Sequence, residues 1–341
     1  MIKFFRKIRQ QLLSENKFSK YLIYALGEIV LVVIGILIAL GLNDYNAKVK
    51  SQDRLTGLLK EVRTELAVNI NRSTPLLQWY SERDSLISMI MSDTLAKEVY
   101  ATDMNIRKVI EYYDTYEVKS NAFDRLMANN SSMPAQYDTL IDDLKTIYVS
   151  EWEIVKSLNK SVEAVVLENN DRIKKTKSWY SDWVYSSGIT EEATEMMFSD
   201  SIYRNYVAEY WLIGVSNHAG FIQLLRSDAY IVYLELSNEL GLPDKVGPAL
   251  MKIFNTSNCP GKYVFENDTI SISEKDGRLL FQFPNRDVEE LLPFDESQFI
   301  PSKTFAFCRL TKDENGQVNG LTFRTGSYNK TFQKQNYSRK Q

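Results

Sequence analysis

"YALGEIVLVVIGILIALGLNDYN", residues 24–46, is almost continuous Ile, Leu, Val, Ala and Gly, with Glu28 as its only charge before Asp44. At about 1.5 Å per residue, the roughly twenty residues from 21 to 42 can cross a hydrocarbon layer of about 30 Å. The sequence therefore predicts a retained transmembrane helix over residues 21–42. The alternative is a cleaved signal peptide, because Ala39 and Gly41 form a small-x-small pair before Leu42.

The charges on either side of this stretch differ in sign. Residues 1–20 carry six Lys and Arg against one Glu, a net charge of +5, so the remaining chain carries −8 of the total −3. An excess of cations before a span favours a cytoplasmic N-terminus, which places the body on the outer side of the membrane. Residues 1–20 form either a short interfacial helix or an unstructured basic tail. An acidic body argues against nucleic acid as a partner.

Glu28 raises the question of what a carboxylate does inside the lipid layer. An ionised carboxylate there costs on the order of 3 kcal/mol, so it needs a partner, a proton or a route to the interface. Glu28, Val32, Gly35 and Ala39 share one helix face, and Gly35 and Ala39 form a small-xxx-small pair. This pattern predicts self-association or docking on a partner transmembrane helix. The alternative is a simple anchor helix in which the Glu28 side chain snorkels to the membrane interface.

The chain from 43 to 255 has the pattern of a helical domain. Leu55, Leu59, Val62, Leu66 and Ile70 recur at steps of three and four residues, and this helix is predicted to end before Pro75. Further helices are predicted over residues 76–92, 105–116, 122–128, 134–169, 171–185 and 191–240. Together they indicate a helical bundle.

The hydrophobic period changes from 3.6 to two near residue 256. Apolar residues alternate with polar ones through residues 263–283, with "EKDG" at a turn, and "ENG" marks a second hairpin in residues 304–326. Five or six short antiparallel strands over residues 256–330 would form a small barrel or curled sheet. Residues 331–341 are predicted to be a polar tail. The predicted fold class is α+β, with an N-terminal transmembrane helix, a helical ectodomain and a C-terminal antiparallel β domain.

The N-terminal residues also carry a resemblance. The basic start, the span "GEIVLVVIGILIAL" and the exit "NDYN" resemble a family of uncharacterised single-span inner-membrane proteins of Bacteroidota. The likeness covers about the first 46 residues, although the family commonly has Trp in the exit motif. It implies a bacterial inner membrane, with the body in the periplasm, and implies no chemistry.

The C-terminal residues resemble a second group. "GKYVFEND", "LLPFDESQFI" and "FCRLTKDENGQVNGLTF" are similar to the small β domain that follows β-lactamase-type serine hydrolases. Fragments of the hydrolase motifs do occur, namely Ser157 with Lys160, Tyr203 with Asn205, and Arg324 with Gly326. Because no strand pattern precedes Ser157 and Arg324 lies in the β domain, a catalytic site is not predicted, and a serine hydrolase remains a remote alternative.

Other residue types supply little chemistry. His218 is the only histidine, which excludes a His-based metal cluster, and its helical spacing favours a core residue over a ligand or base. Cys259 and Cys308 are the only cysteines, and they form either a disulfide or two buried free thiols. We therefore expect no catalytic residues, no metal and no cofactor.

These patterns favour a single-span membrane protein that works by association and is not an enzyme. The expected partners are the lipid bilayer, a second copy or a partner transmembrane helix, and an envelope protein. The alternative is a ligand-binding periplasmic sensor or accessory subunit.

Overall fold

The computed structural model describes residues 18–129, 133–185, 188–247, 258–275, 278–293, 298–301, 304, 306–325 and 328–335. Three parts of the sequence prediction lie outside these ranges: residues 1–17 of the basic segment, the expected boundary at 256, and residues 336–341 of the expected tail. The chain divides into two compact units, Met1–Leu58 and Leu59–Gln341. The helices after residue 58 and the β domain therefore belong to one compact unit.

The first described helix, α1 (Phe18–Met91), contains the apolar stretch. Within the described residues it is the one helix long and apolar enough to cross a bilayer, by length and composition. Large side chains of this stretch are exposed, Val32 to 57% and Leu37 to 61%. These properties make it a candidate membrane span.

Helix α1 continues through Pro75, so the predicted end before this residue is wrong. Proline lacks the N–H for the helical hydrogen bond and would normally break or kink a helix. Buried residues lie on both sides of it, Leu66 and Ile70 before and Leu77 after. Tertiary burial of one continuous face outweighs the local cost, since helices in proteins owe most of their stability to packing.

Shorter helices follow α1, and several differ from prediction. Their bounds are α2 Lys97–Thr102, α3 Met104–Lys108, α4 Asn121–Met127, α5 Asp138–Lys145, α6 Trp152–Thr176, α7 Tyr180–Tyr185, α8 Glu191–Ser199, α9 Ser201–Tyr210 and α10 Ala219–Glu239. A short 3₁₀ helix, Ala135–Tyr137, precedes α5. The helix predicted over 105–116 ends at Lys108. The helix predicted over 191–240 is interrupted at Asp200, whose carboxylate accepts a hydrogen bond from the Ile202 N–H and caps α9.

Two π-helical segments join longer helices. Thr146–Glu151 lies between α5 and α6, and Trp211–His218 lies between α9 and α10. Such segments are rare and are frequently found at functional sites. The second one brings Trp211 and His218 to the region described below.

The C-terminal part is a closed antiparallel barrel of eight strands in sequential order. The strands are β1 Gly261–Phe265, β2 Asp268–Lys275, β3 Arg278–Gln282, β4 Glu289–Pro293, β5 Gln298–Pro301, β6 Phe307–Lys312, β7 Val318–Thr325 and β8 Tyr328–Lys334. The barrel closes where Tyr263 and Val264 of β1 pair with Lys334 and Gln333 of β8. This confirms the α+β class with a C-terminal antiparallel barrel.

The strand number differs from the expected five or six. Residues 263–272 contain two strands, because Glu266 adopts a left-handed conformation (φ 51°) and turns the chain between β1 and β2. Strands β4 and β5 are short and were not recognised by their alternation. Strand β8 extends to Lys334, beyond the expected boundary at 330.

The barrel interior is apolar and contains both cysteines. Alternate residues of each strand point inward, among them Phe281 and Phe323, whose rings stack at 5.8 Å. Cys259 and Cys308 are free thiols, so the disulfide considered between them is not formed. Cys259 precedes β1 and Cys308 lies on β6, three strands away around the barrel, which separates the two residues. Burial raises the pKa of both thiols.

Candidate functional site: a cleft between helices and barrel

A cleft of about 380 Å³ lies between the helices and the outer surface of the barrel. This volume falls within the range of about 300–1,000 Å³ that is usual for small-molecule sites. Its helical walls are α1 and the chain around the second π-helical segment, and its third wall is formed by strands β5 to β8. The lining residues are Leu77, Tyr80, Ser81, Asp84, Ile87, Ser88, Met91, Ala208, Trp211, Val215, Ala219, Gln298, Phe307, Arg309, Thr322, Arg324 and Asn329.

The α1 wall is a single stripe of the helix. Its members follow one another at steps of one or three residues, so that most of them have a neighbour three or four residues away on the same helix face. Met91 is 43% exposed and supplies apolar surface, and Ser88 is an exposed polar residue. The stripe therefore presents both apolar and polar groups to the cleft.

The barrel wall is set by strand register. Gln298 pairs with Arg309, which pairs with Thr322, and this forms one row across β5, β6 and β7. Phe307 and Arg324 begin a second row that continues to Asn329 on β8. Since successive residues of a strand face opposite sides, these side chains lie outside the barrel while Cys308 and Phe323 lie inside.

Asp84 is the electrostatic centre of the cleft. Its carboxylate accepts hydrogen bonds from Trp211 Nε1 at 2.9 Å and from Arg324 Nη1 at 3.1 and 3.2 Å. Arg309 Nη2 lies 3.6 Å from the same carboxylate. We call Asp84, Trp211, Arg309 and Arg324 the Asp84 cluster. Two guanidinium groups and one carboxylate give it a net charge of +1.

The two arginines retain capacity for a further acceptor. Arg324 bonds through Nη1, while its Nε and Nη2 groups have no hydrogen-bond partner in the part of the chain that the structure describes. Its guanidinium also lies against two rings, with centroids 5.6 Å away for Trp211 and 5.3 Å for Phe307. In the orientation of the Gln298 amide that directs its oxygen toward Arg309, Arg309 Nε donates a hydrogen bond to this oxygen at 2.9 Å. The side chains of Arg309 and Arg324 are 33% and 20% exposed.

A buried hydrogen-bond chain supports the cleft from behind. Asn159 is fixed by the Tyr116 backbone, since its Nδ2 donates to the Tyr116 carbonyl and its Oδ1 accepts from the Tyr116 N–H. His218 Nε2 lies 2.7 Å from this Oδ1 and must therefore donate to it. His218 Nδ1 then accepts from Tyr80 OH at 2.6 Å. Burial lowers the pKa of His218 to about 4, consistent with this neutral tautomer.

A second polar group of residues joins the barrel to the helices. Tyr230 OH donates to Asp244 Oδ2 at 2.8 Å, and Arg278 lies 3.5 Å from both Asp244 and Glu290. We call Tyr230, Asp244, Arg278 and Glu290 the Asp244 cluster. Its two carboxylates and one guanidinium have a net charge of −1 when ionised. Burial raises the pKa of Glu290, while Arg278 opposes this effect.

The residues predicted from the sequence lie elsewhere. Glu28, Val32, Gly35 and Ala39 lie on α1 within Met1–Leu58, and a Cβ added at Gly35 would meet no atom within 4 Å. The association predicted for this face stays a prediction. His218 is a buried residue with both ring nitrogens bonded and does not line the cleft.

The fragments of hydrolase motifs are not brought together around the cleft. Ser157 and Lys160 are exposed on α6, and Tyr203 is buried on α9 with its OH directed to the Ile106 carbonyl. Of these fragments, Arg324 alone lines the cleft, where it is bonded to Asp84. Among the described residues, no group of three or more His, Cys, Asp or Glu could hold a metal ion.

Sequence reasoning missed the Asp84 cluster. Asp84 looks like an ordinary surface charge of a helix, and no short motif links it to residues more than two hundred positions later. One signal was available: Arg309 and Arg324 both occupy outward positions on predicted strands, so two cations on neighbouring strands could have marked the barrel surface.

Comparison with known proteins gives no match for this chain, whether to a protein-family model, to a curated protein or to a solved structure.

Proposed function

We propose that this protein is a single-span membrane protein that acts by binding, and that the cleft is its binding site. The observation that carries the proposal is the cleft itself, in which apolar surface surrounds a few convergent polar groups. Asp84 is held by donors from a helix and from the barrel, as expected of a preorganised binding group. We propose that binding is not followed by chemical transformation.

The membrane assignment belongs to the same proposal. The exposed apolar face of α1 and the basic residues before it support an anchor with a cytoplasmic N-terminus. The resemblance of the first 46 residues supports a bacterial inner membrane with the body in the periplasm.

Two methionines of α1 allow a matched test of the cleft. Met89 and Met91 are 41% and 43% exposed on the same helix, and of the two only Met91 lines the cleft. Benzoylphenylalanine placed at each position in the full chain, and irradiated in the producing cells, reports what occupies the surface. We expect a discrete adduct by intact mass at position 91, no such adduct at position 89, and loss of the adduct when Ser88→Trp fills the cleft.

Two results would reject binding at the cleft. One is equal labelling at both positions. The other is an adduct at position 91 that persists unchanged when Ser88→Trp is present.

A second candidate function is association through the span. Val32 is 57% exposed and Gly35 leaves room for close approach of another helix. We propose that the face formed by Glu28, Val32, Gly35 and Ala39 pairs with a second copy or with a partner helix. Crosslinking in membranes tests this pairing. Gly35→Leu is expected to reduce the amount of crosslinked species strongly. Gly41→Leu, at a position outside this face, is expected to leave that amount unchanged. Unchanged crosslinking in Glu28→Leu and Gly35→Leu would exclude the association.

A further inference from the structure

We propose that the ligand of the cleft is a small amphipathic monocarboxylate, an organic acid with one carboxylate and an apolar body. This inference rests on the proposed binding function and names the chemical class that the site accepts. Its basis is the combination of excess cationic charge, unfilled guanidinium donors and adjacent apolar walls.

Charge balance favours a ligand with a single negative charge. The Asp84 cluster carries two guanidinium groups and one carboxylate. One additional carboxylate makes the cluster neutral, whereas a dianion would leave an excess negative charge. A cationic ligand would have to compete with both Arg309 and Arg324 for Asp84.

The donors match a planar carboxylate. Arg324 has Nε and Nη2 without partners among the described residues, and these two groups form the edge that binds a carboxylate with two parallel hydrogen bonds. Arg324 is held in place by Asp84 on one side and by the rings of Trp211 and Phe307. A fixed guanidinium loses little freedom on binding, which favours affinity.

The remaining walls suit an apolar body. Met91, Trp211 and Phe307 line the same cleft as the arginines and have accessible apolar surface, with Met91 43% exposed and the two rings partly exposed. Burial of apolar ligand surface against them favours binding, because it removes apolar area from water. A fully polar small anion would leave these walls without a partner, so a body of aliphatic or aromatic carbon is expected.

Three probes with the same ten-carbon skeleton and different charge test the class. They are 4-phenylbutyrate, 4-phenyl-1-butanol and 4-phenylbutylamine, titrated by calorimetry into the full chain in lipid nanodiscs, with protein-free nanodiscs to subtract partitioning. We expect the carboxylate to bind at least about ten-fold more tightly than the alcohol, which corresponds to roughly 1.4 kcal/mol, because hydrogen bonds to a charged group are stronger than neutral ones. The amine is expected to bind weakest, because its charge has the same sign as that of the cluster.

Variants connect the affinity to the arginines. Arg309→Gln and Arg324→Gln are each expected to weaken the binding of 4-phenylbutyrate by about ten-fold or more. The matched control is Arg278→Gln, which removes a barrel arginine of the Asp244 cluster outside the cleft and should leave affinity unchanged. If Arg324→Gln reduces folding, Arg309→Gln, at a more exposed arginine, still decides the question.

The outcomes separate this inference from the proposed function. The alcohol or the amine could bind as tightly as the carboxylate, with binding abolished by Ser88→Trp. This result would overturn the assignment of a monocarboxylate ligand but would still support a binding cleft. Carboxylate binding that is insensitive to both cleft arginines also overturns it, as does the absence of binding by all three probes. The adduct at position 91 decides the binding function independently.

Discussion

Two polar clusters join the barrel to the helices, and they differ in composition and in whether they line the cleft. The Asp84 cluster has one carboxylate between two arginines and opens on a cleft, whereas the Asp244 cluster has two carboxylates around one arginine. Asp244 also accepts hydrogen bonds from the Val246 and Gly247 N–H groups, so it retains local partners that Asp84 lacks. The contrast suits a purely structural role for the Asp244 cluster, whereas the Asp84 cluster both joins the barrel to the helices and lines the cleft that we propose binds an anion.

The largest expected effect comes from removing the central carboxylate of each cluster. Asp84→Asn leaves two partly buried guanidinium groups without an anion, and we expect the free energy of unfolding to fall by about 2–3 kcal/mol. Asp244→Asn retains a side-chain oxygen for the loop N–H groups and is expected to cost about 1 kcal/mol. Urea denaturation of the full chain in detergent, followed by Trp fluorescence, measures both. An equal or larger loss for Asp244→Asn would remove the distinction between the clusters.

Two buried tyrosines provide the next comparison, Tyr80 of the hydrogen-bond chain behind the cleft and Tyr230 of the Asp244 cluster. Tyr80→Phe leaves His218 Nδ1 as a buried acceptor without a donor, and we expect a loss of about 2 kcal/mol in the free energy of unfolding. Tyr230→Phe removes a donor from Asp244, whose side chain is 11% exposed and can be reached by water. The expected loss is about 1 kcal/mol. The same denaturation experiment decides the order, and the opposite order would show that the Tyr80–His218 hydrogen bond contributes less to stability than the Tyr230–Asp244 hydrogen bond.

The pH dependence of stability should distinguish the Asp244 cluster through Glu290. Because folding raises the pKa of Glu290, the folded state binds more protons than the unfolded state in the pH window between the ordinary pKa of 4.5 and the raised pKa. Stability therefore falls as pH rises across this window. Glu290→Gln removes this term, so the stability of the variant relative to the parent should increase with pH in that window. Glu111 and Glu151, whose pKa values burial also raises, contribute equally to both proteins.

Urea denaturation at several pH values, with Glu153→Gln as the exposed control on α6, measures this difference. A constant difference between Glu290→Gln and the parent across the window would show that Glu290 keeps its ordinary pKa.

The smallest effect concerns the cysteines inside the barrel. Cys308 lies between Phe307 and Arg309 on β6, so loosening of the Asp84 cluster should expose it before Cys259. We expect Asp84→Asn to accelerate alkylation of Cys308 more than that of Cys259, and Asp244→Asn to accelerate both equally. Mass spectrometry of the labelled peptides under native conditions gives the two rates. Identical acceleration of the two thiols in Asp84→Asn would mean that the barrel opens as one unit.

Local pattern predicted much of the architecture. The apolar stretch before residue 43 and the change of period near 256 correctly indicated a candidate span, helices and an antiparallel barrel. Prediction failed at Pro75 because packing of Leu66, Ile70 and Leu77 overrides local propensity. It undercounted strands because Glu266 turns the chain without a Gly or Pro signal, and because β4 and β5 are too short to show alternation.

The sequence by itself determined the properties that depend on neighbouring residues: one apolar segment of membrane-spanning length, helical and strand periods, and the sign of charge along the chain. Only the tertiary structure decided the cleft. Asp84 and Arg324 are 240 positions apart and meet because the barrel closes and packs against α1, which places alternate outward residues of β6 and β7 on that helix. Periodicity reports which face of an element is buried, but it does not report which other element lies against the polar face.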